Sequence, residues 1–330
     1  MTSRYSKVHE SPAGPGDDRP VASQIIQDEG LEGNWQDKTI LITGCSSGLG
    51  VETARALAVT GATLYLTARD LEKAKTALGD LAKSERVHLL RLDLGSLASV
   101  RACAAEFASK SSKLNILIAN AGVMMTPEGS TTDGFDTQFG TNHLAHFLLF
   151  KLLKPTLLAS STANFHSRVI FLSSLAHRSS EVNFDKLNLG GIYDPWVANA
   201  QSKTANIWTA NEIERRYGSN GLHAWSVQPG PTGTGLYQHL SEADAAASQS
   251  DPTLAKLFKT PGQGAATTVW AATSKALEGN GGKYLEDCQI SKPADPAAGP
   301  YAPGHSVFAY DEGKEARLWA KSLEMVGLNK

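Results

Sequence analysis

A β-branched apolar run, Thr39-Ile40-Leu41-Ile42-Thr43, passes directly into Gly44-Cys45-Ser46-Ser47-Gly48-Leu49-Gly50 and then into a helical pattern carried by Ala54, Leu57 and Ala58. Strand, glycine turn and helix in that order leave a chain few folds to choose from. Glycine lets the backbone of such a turn approach a pyrophosphate closely, and the first N–H groups of the following helix face its negative charge. The segment therefore reads as the opening βα unit of a dinucleotide site, with Gly44, Ser46, Ser47, Gly48, Leu49 and Gly50 as candidate cofactor-binding residues.

The alternation continues along the chain. Residues 62–68, 86–92, 114–119, 168–173 and 222–228 read as strands and 283–287 as a last short one, with helical patterns at 135–158, 196–217 and 262–276. Strands and helices at this spacing imply right-handed crossovers, so the predicted fold is α/β: a single-domain Rossmann-type doubly wound parallel sheet. Residues 1–36 read as an N-terminal arm and 37–290 as the domain. Residues 291–330 form a C-terminal extension that ends in an amphipathic helix at 312–328. A long connection at 231–261 follows a strand end that faces the ligand side; it is either a lid or a surface insertion. The C-terminal extension covers either the pocket or a subunit interface.

Composition narrows the partners. A net charge of −2 in 330 residues gives no basic surface for nucleic acid or an anionic membrane. Cys45, Cys103 and Cys288 are widely spaced, so neither a disulfide framework nor a metal site is expected, and the setting is a reducing, cytoplasmic one. The arm lacks an apolar core, and the apolar stretch 144–158 is interrupted by His146, Lys151, Lys154 and Pro155, so no membrane span is expected.

The GxxxGxG spacing of the glycine turn and the segment Asn199-Ala200-Gln201-Ser202-Lys203 resemble the short-chain dehydrogenase/reductase (SDR) family over about residues 37–290. Within it, the likeness is to retinol-dehydrogenase-like and filamentous-fungal members, many of the latter acting in secondary metabolism. Other matches follow in family order: Leu92-Asp93-Leu94, Asn120-Ala121-Gly122, Gly140-Thr141-Asn142-His143-Leu144, Leu172-Ser173-Ser174 and Pro229-Gly230-Pro231-Thr232-Gly233-Thr234. The resemblance implies that Asp93 and Leu94 meet adenine and that Asn120, Ala121 and Gly122 flank its ribose. It places Pro229, Gly230, Thr232 and Thr234 at the nicotinamide, makes 231–261 a substrate loop, and implies a homodimer or homotetramer paired through helices 135–158 and 196–217. Retinol-type members often carry an N-terminal anchor, from which this arm departs.

At the end of the second strand Ala68 stands where an acidic residue would bind the ribose hydroxyls of NAD, and Arg69 follows it with a fork suited to a 2′-phosphate. NADP(H) is the expected cofactor. The family's catalytic set implies roles for Asn142, Ser174 and Lys203, but Asn199 occupies the place of the tyrosine in YxxxK. Asn199 and Lys203 lie four apart on one helix and share a face. A carboxamide donates a hydrogen bond but does not deliver a proton. Tyr193 and His177 are near enough in sequence to replace the acid, or they are a packed loop aromatic and a turn histidine. The expectation is an NADP(H)-dependent reductase of a carbonyl or activated double bond in a small apolar molecule. A non-redox isomerase, epimerase, dehydratase or cyclase, a cofactor-binding pseudoenzyme, and an engineered variant of an active reductase stay open.

Overall fold

The computed structural model describes residues 4–328. Its elements run α1 (Ala22–Asp28), β1 (Thr39–Thr43), α2 (Gly48–Ala58), β2 (Thr63–Ala68), α3 (Leu71–Leu78), β3 (Val87–Arg91), α4 (Leu97–Lys110) and β4 (Ile116–Ala119). There follow α5 (Thr137–Phe139), a π turn (Gly140–Leu144), α6 (Ala145–Ser160), β5 (Ser167–Leu172), α7 (Pro195–Tyr217) and β6 (Leu222–Gln228). The chain continues with α8 (Glu242–Ser250), α9 (Pro252–Leu257), α10 (Pro261–Thr273), β7 (Lys283–Glu286), β8 (Gln289–Ile290) and α11 (Glu312–Met325).

The sheet order is β3-β2-β1-β4-β5-β6-β7-β8, parallel throughout except for the antiparallel β7–β8 pair. Chain order reverses direction between β1 and β4, the switch point where open α/β sheets bind ligands. The sheet is buried on both faces, which explains why β1 and β5 are apolar without alternation. One core joins the sheet to α4, α6, α7 and α11; the other joins it to α1, α2 and α10.

Three features differ from the sequence expectation. The helix expected at 135–158 is broken by the π turn, which starts just after Asp136 caps α5 through Phe139 N–H at 2.7 Å. The arm is docked, not loose: Ile25 and Ile26 of α1 are buried against α2 and α10. Its first three residues, and the last two of the extension, lie outside the described residues.

The third difference concerns α7. Every residue from Ala198 to Ile213 is buried within the one chain, because α11 lies on its outer side. Trp319 meets Phe147 edge to face at 5.0 Å and carries the Lys151 ammonium and Arg216 guanidinium over its ring. Asn211 donates to Glu315 at 2.7 Å, and His143 bonds Ser322 at 2.9 Å. Within the one chain α11 thus covers residues 198–213, part of the 196–217 helix through which the resemblance implied pairing. No helix among the described residues is long and apolar enough to cross a membrane.

Candidate active site

The carboxyl ends of β1, β4, β5, β6 and β7 open into one cavity of about 1870 Å³. The glycine turn lines it, and so do Leu236, Tyr237, Leu240, Leu254 and Leu257 of the 231–261 connection.

Backbone geometry explains the glycines. Gly44 has φ +78°, and a Cβ there would stand 2.8 Å from Ala121 Cα; a Cβ on Gly50 would run into the Gly44 carbonyl oxygen and lie 2.7 Å from Asn120 Nδ2. These residues thus bring β1, α2 and the β4 exit together without side chains between them. Thr43 fastens the same junction. Its hydroxyl accepts from Asn120 N–H and Ala121 N–H at 3.0 Å, and its carbonyl accepts from Asn120 Nδ2 at 2.8 Å. Asn120 Oδ1 is left buried without a protein partner. Gly44, Ser46, Ser47, Gly48, Leu49, Ala121 and Gly122 line the cavity; Gly50 stands behind it as a spacer.

Arg69, Asp93, Leu94, Pro229, Gly230 and Thr234 also line it. Asp70 does so too, but its carboxylate caps α3 through Lys73 N–H at 3.0 Å, and Lys73 brings a second cation to the Arg69 corner. Thr232 does not line the cavity; it is buried with its hydroxyl donating to Gly230 O at 3.2 Å, a correction to its expected place at the ligand.

Asn142 does not line the cavity directly. It lies behind the cavity wall, its amide accepting from Val123 N–H at 2.8 Å and donating to Val123 O and Ser202 Oγ, both at 2.9 Å. Its carbonyl accepts from His146 Nδ1–H at 3.0 Å, which leaves Nε2 to accept from Thr43 at 2.9 Å. Burial pushes His146 down to about 4, so this network is neutral at ordinary pH.

Ser174, Asn199 and Lys203 do converge on the cavity. Ser174 sits just beyond β5 as the cap of a short turn, accepting from Ala176 N–H at 3.1 Å. Asn199 is buried, and its Oδ1 has no protein partner. Lys203 Nζ lies 3.4 Å from Leu172 O and faces the backbone at Gly122. Burial alone lowers its ammonium to about 8.

Neither substitute acid faces the cavity. Tyr193 donates to Thr126 O at 2.6 Å and accepts from Gln138 Nε2 at 3.1 Å. His177 donates through Nδ1 to Ser174 O at 2.7 Å and accepts from Ser306 N–H at 3.1 Å, while burial pushes it down to about 4.

The family profile for short chain dehydrogenases matches residues 38–245. The chain is a short-chain dehydrogenase/reductase. This SDR is 48% identical over 326 residues to a short-chain dehydrogenase/reductase of Penicillium roqueforti, covering 99% of this chain and 96% of that one. It is 35% identical to the polyprenol dehydrogenase of Homo sapiens over 88% of this chain and 86% of the relative. Among solved structures it resembles an uncharacterised protein of Mycobacterium paratuberculosis, with TM-score 0.66, 35% identity, and 88% and 94% of the two chains covered.

Sequence reasoning missed one carboxylate of this SDR. Glu286 ends β7 opposite Gln228 of β6 and lines the cavity; strand-end position was the available signal. Ser291 Oγ donates to it at 2.5 Å, yet burial pushes its carboxyl up to about 7. The unfolded chain ionises near 4.5, so below that pH both states hold the proton; stability falls as pH rises from there to about 7, and the penalty is constant above. Glu286→Gln removes the penalty. Urea unfolding is expected to show the variant more stable than the parent by about 2–3 kcal/mol at pH 8, with the gain gone at pH 4.5.

Proposed function

We propose that this SDR is an NADP(H)-dependent reductase of a carbonyl or activated C=C or C=N group in a small apolar molecule of secondary-metabolite type. The observation that carries this reading is the convergence of Ser174, Asn199 and Lys203 on a cavity that Leu236, Leu240, Leu254 and Leu257 also line. The cradle at Gly44 and Gly50, with Asn120 Oδ1 unpartnered, fits a dinucleotide. Gly44, Ser46, Ser47, Gly48 and Leu49 would hold its pyrophosphate, Asp93, Leu94 and Asn120 to Gly122 its adenosine, and Pro229, Gly230 and Thr234 the nicotinamide. Ala68, Arg69 and Lys73 suit a 2′-phosphate. The polyprenol named for a human relative supports an apolar substrate.

NADPH, when bound, supplies a hydride. Ser174 Oγ–H and Asn199 Nδ2–H donate hydrogen bonds to the acceptor oxygen, stabilising the negative charge that grows there. Lys203 adds a positive field and holds the ribose; Asn142 keeps the β4 exit loop against α7. The proton for the product comes from water or from the substrate itself, because Asn199 delivers none. Substrates that need little acid assistance, such as conjugated enones or iminium ions, suit this site best. The same deficit favours one second reading, a non-redox rearrangement on the SDR scaffold.

A panel of enones, quinones and cyclic ketones with NADPH tests the proposal. Consumption of NADPH matched by reduced product supports it; product without NADPH consumption supports the second reading, and neither leaves a cofactor-binding pseudoenzyme. Arg69→Ala is expected to raise KM for NADPH by about 10- to 100-fold, the scale of one or two charge-assisted hydrogen bonds, with KM for NADH unchanged. Equal effects on both cofactors would overturn the 2′-phosphate assignment.

A further inference from the structure

The 231–261 connection has little means of holding its own shape. Its helices α8 and α9 contain no buried residue, yet its apolar side chains wall the cavity. A segment of this kind needs an anchor from elsewhere.

That anchor comes from the other end of the sequence. Arg19 is only 4% exposed, and its guanidinium donates to Leu257 O at 2.8 Å, Phe258 O at 2.6 Å, Lys256 O at 3.3 Å and Gly14 O at 3.0 Å. Three of these acceptors are the carbonyls at the end of α9, which the helix itself leaves unpaired. A planar fork with five donors can span them, whereas an ammonium cannot. Asp17 accepts from Arg19 Nε at 2.8 Å and from Gln263 Nε2 at 3.0 Å, and Gln263 belongs to the first turn of α10. The connection is thereby tied through Arg19 and Asp17 to the body of the sheet.

A second tie runs closer to the cofactor loop. His9 donates through Nδ1 to Tyr5 O at 2.9 Å and turns Nε2 to within 3.7 Å of Asp287. Asp287 pairs with Lys259 at 2.8 Å, and Lys259 donates to Pro229 O at 3.1 Å. Burial works against the Asp287 charge, but Lys259 foremost, with Arg19, outweighs it and holds its carboxyl low. His9, Glu10, Pro12 and Arg19 themselves line the cavity.

We propose that residues 9–19 are a strap that fixes the 231–261 connection over the cavity and completes its wall, with Arg19 as the positioning residue. This rests on reading the cavity as the substrate site. The strap acts by keeping the apolar wall in place before substrate arrives, so it governs substrate affinity most, with a smaller effect on the nicotinamide contacts at Pro229 and Thr234.

Chymotrypsin digestion of the full chain saturated with NADPH tests it without requiring turnover. Arg19→Met keeps the stem and removes the fork; cleavage after Tyr237, Leu240, Leu254 or Leu257, located by mass spectrometry, is expected to accelerate at least about tenfold. Arg19→Lys should restore little of the protection, and the Kd for NADPH should stay within about twofold of the parent. On a substrate from the panel, KM should rise about tenfold while kcat changes less than about threefold. If Arg19→Met does not fold, Asp17→Asn carries the same comparison. Unchanged cleavage in a folded variant overturns the strap, as does full rescue by lysine. Faster cleavage in a chain that reduces nothing leaves the strap standing and removes the reductase reading instead.

Discussion

Asn199→Tyr is expected to raise kcat/KM for NADPH-dependent reduction of a plain cyclic ketone by about 10²- to 10⁴-fold, the contribution of a positioned general acid. In barrier height this is roughly 3–5 kcal/mol. The setting for a tyrosine is already built. Lys203 stands one helical turn on, buried, with its ammonium aimed at the β4 exit and no hydrogen bond beyond a long one to Leu172 O. A fixed cation at that distance favours the phenolate and so lowers the phenol pKa towards the working range. Asn199 Oδ1 has no protein partner, so losing the amide strands no buried group. An iminium substrate, which already carries the charge that protonation would bring, should gain less than about threefold. The ratio of the two gains is the measurement. Ketone rates that do not differ between the two side chains would show that the proton arrives by a route independent of this position.

Gly50→Ala is expected to weaken NADPH binding on the order of 10²-fold, the cost of a displacement near 1 Å in a fitted site. It should also lower Tm by roughly 4 °C, as overpacking by about 3 kcal/mol would in a chain of 330 residues. The added methyl meets the Gly44 carbonyl oxygen and lies near Asn120 Nδ2, so it strikes backbone that β1 and β4 hold rigidly. The Gly44 carbonyl is backbone and cannot turn away, and the Asn120 amide can do so only by giving up its bond to Thr43 O. Gly190→Ala is the control, because a Cβ there meets nothing within 4 Å. Isothermal titration with NADPH and a thermal melt give both quantities. A Gly50→Ala chain that binds and melts like the Gly190 control would mean that α2 can move off β1 freely, against the geometry described.

The glycine turn and the strand ends were legible in the sequence because each is encoded locally, by periodicity or by spacing on one element; Ser174, which lies on a different element from Asn199 and Lys203, came from the resemblance to the family. The direction of Asn142 was not legible. Its position on a helix is readable, but which way it points depends on the π turn before α6, and Gly140-Thr141-Asn142-His143-Leu144 carries no composition that distinguishes a π turn from an α turn. The docking of the arm escaped for a different reason. Ile25 and Ile26 look like isolated apolar residues in a polar stretch, and the surface that receives them is assembled from α2 and α10, far away in the chain. Arg19 gave no signal of its tie to the 231–261 connection, since its partners there are backbone carbonyls. The closure of α7 by α11 was hidden in the same way: the amphipathic pattern of residues 312–325 shows a buried face without saying what it covers.

The π turn also has a meaning for insertions and deletions. Each residue of a helix advances its phase by about 100°. The wide turn at Gly140–Leu144 takes up one extra residue locally. Inside the turn Asn142 points at Val123; beyond it Phe147, Leu148 and Phe150 point into the core. An unbroken α-helix of one residue fewer would leave these three in nearly the same phase and take up the change at the turn itself. The extra residue is therefore local slack that places Asn142, and a single deletion between positions 140 and 144 would fall on its contacts with Val123 while leaving α6 in register with the core.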